Sequence, residues 1–236
     1  MLRILTTALL TATAFFAIQT SALACKADKA RLEIRLFRYV GVEANSASNV
    51  KDQFARFYGI VSEKLNAIRF HIRESGIDVQ YLDDMKVKPE RSRLDQIYNE
   101  TPPQSASDLK NTWELYQKQL LLLRGDFGTS GAAGVPTITS WIYWGEPVPS
   151  GLPVIVHVEG PLDLDGADHA RDAHSFVAMF ALAVDAERHC SKDVYLRMYG
   201  VALDAARDLA KNKGPLSPHL AAMKAYLEAK VPDWVS

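Results

Sequence analysis

Cysteine is nearly absent: Cys25 and Cys190 are the two in 236 residues. Excess charge of either sign is also absent. The formal net charge of −1 gives no basis for nucleic acid or an anionic membrane surface as a partner. After the first two dozen residues no apolar run is long enough to cross a bilayer. No serine sits in a Gly-x-Ser-x-Gly elbow, and no His-x-x-x-His pair offers zinc two ligands on one helical face. No unit recurs at a fixed period, so a solenoid is not supported. Nothing in the sequence calls for a cofactor.

The N-terminus is patterned. Met1-Leu-Arg3 is followed by an apolar, Thr/Ala-rich stretch to Ile18 and then by Ser21-Ala-Leu-Ala24. One early cation, a short apolar core and small residues at −3 and −1 predict a secretory signal peptide cleaved after Ala24, with a retained N-terminal anchor as the alternative. The mature protein is then periplasmic or secreted, and residues 25–236 form one large domain or a smaller one with a helical extension. In an oxidising compartment, Cys25 and Cys190 predict one disulfide. Closing so long a loop is worth about 4–5 kcal/mol in the chain-entropy model. The competing expectation is a lipid anchor at Cys25, although Ala22-Leu23-Ala24 departs from the usual lipobox. With both cysteines bridged, no thiol nucleophile remains.

Arg31 to Val40 alternates, with Leu32, Ile34 and Leu36 against Arg31, Glu33 and Arg35, which predicts a half-buried strand. Val50, Phe54, Phe57, Val61, Leu65, Ile68 and Ile72 then recur every three or four residues. That spacing predicts a long amphipathic helix, capped at Ser48 or Asn49 and ended by Gly76. Ile77, Val79 and Tyr81 predict a short second strand. Asp83–Ser107, charged and carrying Pro89, Pro102 and Pro103, reads as a surface excursion with at most a short strand or helical turn. Leu109, Trp113, Tyr116, Leu120 and Leu123 predict another helix, ending at Arg124-Gly125. Glycines at 125, 128, 131 and 134 predict a mobile loop, because no helix follows to hold a phosphate. Thr137–Trp144 and Leu152–Glu159 predict two central strands joined across Gly145–Gly151. Three helices complete the chain: about Asp168 to His189, Asp193 to about Lys211 after a Ser191 cap, and one opened by Ser217-Pro218.

The opening strand Leu32-Glu-Ile-Arg-Leu-Phe, the long helix after a polar loop, the helix carrying Trp113 and Leu120-Leu-Leu-Leu-Arg-Gly125, and the following Thr139-Ser-Trp-Ile-Tyr-Trp-Gly145 come in a suggestive order. Over residues 31–159 that order resembles the N-terminal module of TolB and the related FlgO and CsgG-type modules of bacterial envelope proteins. The resemblance implies a non-catalytic α/β module used in envelope assemblies, with a protein partner. It carries over no functional residues.

The densest chemistry lies in Asp163-Leu-Asp165-Gly-Ala-Asp168-His169-Ala-Arg171-Asp172-Ala-His174, with four Asp, two His and an Arg in twelve positions. Asp168 and Asp172 share a helical face, whereas His174 points away from Asp172. The calcium-loop flavour of Asp163-x-Asp165-Gly166-x-Asp168 fails the EF-hand pattern, since position twelve is His174 rather than Glu. The plain reading is a helix start capped by Asp165 or Asp168, with His174 in the apolar face bonded to the backbone. The sharper reading is a ligand or metal site drawing on His157, Asp168, Asp172 and His174. Trp141, Tyr143 and Trp144 read as core, with a sugar or peptide groove as the alternative.

The predicted fold is α+β: a mixed sheet of four to five strands with two long flanking helices, followed by a C-terminal segment of about three helices. The expected organisation is a signal peptide over 1–24, an α/β domain over 25–160 and a helical region over 161–236 packed on it. The leading functional expectation is an exported envelope protein acting as a non-enzymatic binding or interaction module. The alternatives are a periplasmic metal-dependent or hydrolytic enzyme using Asp168–His174, and a small-ligand-binding protein.

Overall fold

The structure is a computed structural model. It describes residues 25, 33–36, 48–77, 82, 86–89, 107–108, 111, 119–130, 135–144, 148–161, 164–213 and 215–235, in part by backbone alone. The expected signal peptide over 1–24 lies outside the described residues.

The architecture is α+β. Five strands are β1 (Glu33–Leu36), β2 (Lys86–Pro89), β3 (Gln119–Ser130), β4 (Val135–Tyr143) and β5 (Ile155–Pro161). They form one mixed sheet in the order β2-β1-β3-β4-β5. β1 runs parallel to both β2 and β3, and β3, β4 and β5 form an antiparallel meander. Among the described residues four long helices accompany them: α1 (Ser48–Glu74), α2 (Leu164–His189), α3 (Lys192–Lys213) and α4 (Pro218–Lys230).

The period-three-and-four pattern of α1 is realised, with Val61, Leu65, Ile68 and Ile72 buried. Its C-terminus closes on Gly76, whose φ of 77° lies in the left-handed region open to glycine. The helix after Ser217-Pro218 also forms as its sequence dictates. Ser217 Oγ accepts from the Leu220 N–H at 3.5 Å, and Pro218 occupies the first turn, where a missing N–H is no loss.

The expected helix over 109–124 is corrected over 119–124; residues 109–110 and 112–118 lie outside the described residues. Ser107, Asp108 and Asn111 are helical, but Gln119–Ser130 is a strand. Leu120, Leu121, Leu122 and Leu123 are all buried, on both faces of the middle strand of the sheet. Four consecutive leucines carry neither a period of two nor one of 3.6, so neighbours rather than periodicity decide their conformation. The glycine-rich mobile loop is corrected in its first half: Gly125 and Gly128 are strand residues facing Ser140 and Thr137 of β4, while Gly131 and Gly134 lie outside the described residues. The expected strand over 77–81 is not seen at Ile77, and residues 78–81 lie outside the described residues. The strand beside β1 is instead β2, within the stretch read as a surface excursion. β5 starts three residues later than expected. Pro149 C=O accepts from the Leu152 N–H, Gly151 takes φ 85°, and Trp144 Nε1 donates to the Pro153 carbonyl at 2.8 Å, so the connection extends through Pro153.

Helix α2 organises the molecule. Every residue from Ala173 to Ala186 is buried. A helix that is apolar on all sides needs cover on all sides. α2 has it, with β5 and β3 beneath, α1 and α3 flanking, and α4 at its far end. One continuous apolar cluster runs from Ile34 and Leu121 through α1 and α2 to Leu227, so the α/β and helical parts share a core. A second, smaller cluster of Leu122 and Tyr143, with Trp141 and Ile155 against it, occupies the opposite face of the sheet.

Cys25 and Cys190 form a disulfide, closing a separation of 165 residues and fastening the chain before β1 to the end of α2. The expected lipid anchor is thereby corrected: the Cys25 sulfur that would carry the lipid is bonded to Cys190. Among the described residues, no helix is long and apolar enough to cross a membrane.

Candidate functional site: a cleft over the central helix

α1 and α3 stand on either side of the solvent-facing start of α2 and leave a cleft of about 450 Å³ between them. Its walls follow helical arithmetic. α1 contributes Lys64, Ala67, Ile68, His71 and Glu74, which recur every three or four residues along one stripe. α2 supplies the floor with Arg171, Asp172, Ser175 and Met179. α3 closes the other side with Ala205, Asp208, Leu209 and Asn212. Ile68, Met179 and Leu209 are each at most 5% exposed and make an apolar base beneath a charged rim. Phe70, 52% exposed, stands at the mouth with the Arg69 guanidinium 4.8 Å from its ring centroid.

One end of the cleft is organised by Asp172. Arg171 Nε donates to its Oδ1 at 3.0 Å and Arg171 Nη2 to its Oδ2 at 3.3 Å. Lys64 Nζ lies 3.8 Å from the same carboxylate, close enough for Coulomb attraction but beyond hydrogen-bond reach. These are half-exposed groups, so the cluster shapes the rim's charge and adds little to stability. At the other end, Glu74 of α1 is exposed, and Arg197 of α3 donates to the Gly76 carbonyl just beyond it at 3.3 Å.

The four candidate residues read from the sequence do not converge. Asp172 faces the cleft. Asp168 lies inside α2, with its side chain outside what the structure describes. α2 begins at Leu164, so Asp165 and Asp168 are helical residues and the expectation that one of them caps the helix is corrected. His174 is fully buried, and its Nδ1 pairs with the Ala170 carbonyl one turn earlier. Burial pushes its imidazole down to about 4, against a partial upward pull from that carbonyl, with His169 pushing the same way as burial. A neutral histidine bonded to its own helix is a packing element.

His157 lies on the other side of the sheet. Val156 and Val158 point into the core; His157 faces outward, its ring 3.8 Å from that of Trp141. Across the strands it continues a row begun by Arg124, whose guanidinium lies 5.5 Å from the Trp141 ring. The His157 backbone N–H, on the outer side of edge strand β5, donates to His219 Nδ1 of α4 at 3.4 Å. Burial and the neighbouring His219 lower the His157 imidazole, and Glu159 partly offsets them. Among the described residues, no group of three or more His, Cys, Asp or Glu side chains could hold a metal ion.

A polar cluster that sequence reading passed over joins the three C-terminal helices. Tyr199 of α3 donates its hydroxyl to Glu187 Oε2 of α2 at 2.7 Å, and Lys230 of α4 donates to Glu187 Oε1 at 2.6 Å. Lys230 also lies over the Tyr226 ring, 5.3 Å from its centroid. Burial works to raise the Glu187 carboxyl, but the Lys230 and Tyr199 hydrogen bonds outweigh it and hold the group below its ordinary value. Burial and the bond to Glu187 raise the Tyr199 hydroxyl. Nearby, the C-terminal segment folds back on α3: Trp234 Nε1 donates to Asp204 Oδ2 at 2.9 Å, and its indole lies against Gly200 so closely that any Cβ there would overlap it.

Comparison with known proteins adds no relative: no protein-family model, no curated protein and no solved structure matches this chain.

Proposed function

We propose that this is an exported, non-enzymatic binding module of the bacterial envelope, and that it holds its ligand in the cleft between α1, α2 and α3. The observation that carries the reading is the cleft itself. About 450 Å³ falls within the size range of small-molecule sites, and an apolar base under a few charged groups is their usual chemistry. Export is supported by the signal-type N-terminus and by the disulfide, which persists in oxidising compartments. The order of elements over residues 31–159 supports the envelope assignment through its resemblance to the TolB-type module, and a protein partner in the envelope belongs to the same reading. The enzyme alternative has less support, because His157, Asp172 and His174 point to three different places.

A thermal-shift screen of chemically diverse small molecules tests this reading, run on the wild type and on Ala67→Trp. Ala67 is exposed and lines the cleft, so a tryptophan there fills the space without disturbing the core. Ligands should raise the Tm of the wild type and leave that of the variant unmoved. No stabilising ligand, equal shifts in both proteins, or chemical conversion of the bound ligand would each overturn it. N-terminal sequencing of the exported protein should begin at Cys25.

A further inference from the structure

Among the described residues the sheet ends on β5, and a histidine closes that edge at its middle. The His157 N–H turns away from β4 to donate to His219 Nδ1 at 3.4 Å, so the backbone groups of Ile155 and Glu159, two residues to either side, point outward with it. The side chains of His157 and Glu159 are exposed. Pro153 and Pro161 carry no N–H and bound this open edge, four residues before His157 and four after it. The window is therefore symmetric about His157. Its plug is conditional. Nδ1 accepts only while it carries no proton; a protonated imidazole donates from both nitrogens and meets the His157 N–H donor to donor. The titratable groups facing the contact are the His157 imidazole, its ring 5.6 Å from that of His219, and Glu159 of β5. Beside them lies Trp141 of β4, and beyond it the Arg124 guanidinium of β3. Further along α4, Lys224 pairs with Glu228 and Lys230 with Glu187 of α2.

We propose that β5 is the interface of an acid-induced homodimer: protonated His219 leaves the His157 amide, and the freed edge pairs antiparallel with β5 of a second copy about a two-fold axis at His157. The symmetry of the window selects this occupant. About that axis His157 faces its own copy and Ile155 faces Glu159 of the partner subunit, each pair exchanging N–H to C=O bonds. Pro153 meets Pro161 of the partner subunit, where neither has a donor to lose. Glu159 lies diagonal to His157 of the partner subunit, within reach of its ring. The operation is closed, so association stops at the dimer and does not run on into a fibre. While His219 is neutral it holds the amide that the second copy would need, and it protects an edge that otherwise invites pairing.

Analytical ultracentrifugation of the full mature chain at pH 8 and pH 5 reads the mass directly. The wild type should be a monomer at pH 8 and double its mass at pH 5. His219→Leu removes the plug without a proton and should be dimeric at both. Glu159→Pro takes an outward N–H from the edge while leaving the ladder to β4 intact, and should be monomeric at both. Added to His219→Leu, it should restore the monomer at pH 8, with circular dichroism unchanged. The pH 8 comparison involves no acid, so protonation of the buried His174 cannot imitate it. A wild type of one mass at both pH values overturns the proposal, as does a monomeric His219→Leu. Association at pH 5 that Glu159→Pro leaves unchanged, or that runs beyond the dimer, overturns it too, since either is general acid aggregation and not pairing through β5.

Discussion

His174 should make this protein acid-sensitive in a defined window, and the size of the effect follows from its burial. In the folded chain the imidazole titrates at about 4, because burial disfavours its charged form; its ordinary value is 6.5. A folded value below the unfolded one means that the unfolded chain binds the proton first as pH falls. The neutral core histidine therefore contributes its full stability above pH 6.5, and loses it progressively as pH falls toward 4. At pH 5 the linkage relation gives a loss of about 2 kcal/mol relative to pH 7.5, and the ceiling for the whole shift is about 3 kcal/mol. Other groups titrate in the same range, so the measurement must isolate this one. His174→Leu keeps an apolar side chain of similar size and removes the titrating group. Its lost partner, the Ala170 carbonyl, sits inside α2 where the helix's own ladder can serve it. Urea unfolding of wild type and variant at pH 7.5 and pH 5 gives four stabilities. The wild type should lose about 2 kcal/mol more than the variant across that step. Parallel losses in the two proteins would refute the account and mean that His174 is hydrated or charge-compensated when folded.

The remaining expectations concern the packing of the C-terminal helices and the disulfide. Gly200→Ala should destabilise the chain, because its Cβ would displace the Trp234 indole; in a Trp234→Ala background the same change should stabilise by about 0.5–1 kcal/mol, as alanine normally does in a helix interior, and thermal unfolding of the four variants reads the reversal. Lys230→Met removes the charged donor at 2.6 Å from Glu187 and should cost at most about 1.5–3 kcal/mol in chemical unfolding, with a smaller loss at high salt, since both partners are part-exposed. Thiol counting on the denatured, unreduced protein should find no free thiol, and Cys25→Ser should lower stability by up to about 4–5 kcal/mol; two free thiols would remove the staple.

Helix α1 was legible from sequence because its buried face repeats every three or four residues, and Gly76 ends it for a reason local to glycine. β4 was legible because Trp, Tyr and Ile crowd both its faces; β5 was legible as a strand, but the expectation that it lies centrally is corrected, since it is the edge strand, with Val156 and Val158 buried and His157 and Glu159 exposed. β3 was not, because Leu120–Leu123 has no period and its place at the centre of the sheet depends on partners distant in the chain. The cleft was illegible for another reason. Lys64, His71 and Glu74 on α1, and Asp208 and Asn212 on α3, fall outside the apolar pattern of their helices and belong to no motif, and they become walls only when both helices dock on α2. The Asp163–His174 stretch misled in the opposite sense. Residues two apart on a helix face different ways, so Asp172 reaches the cleft while His174 enters the core.

Because α2 is enclosed from Ala173 to Ala186, its amides can exchange with solvent only when the whole domain opens, whereas α1 and α3 each keep a solvent-facing side. The floor of the cleft therefore belongs to the slowest-exchanging part of the molecule, and its walls to faster parts. A ligand held there would be recognised against a fixed base by movable sides, and in hydrogen exchange its binding should be recorded first in α1 and α3, with α2 unchanged until global unfolding itself slows.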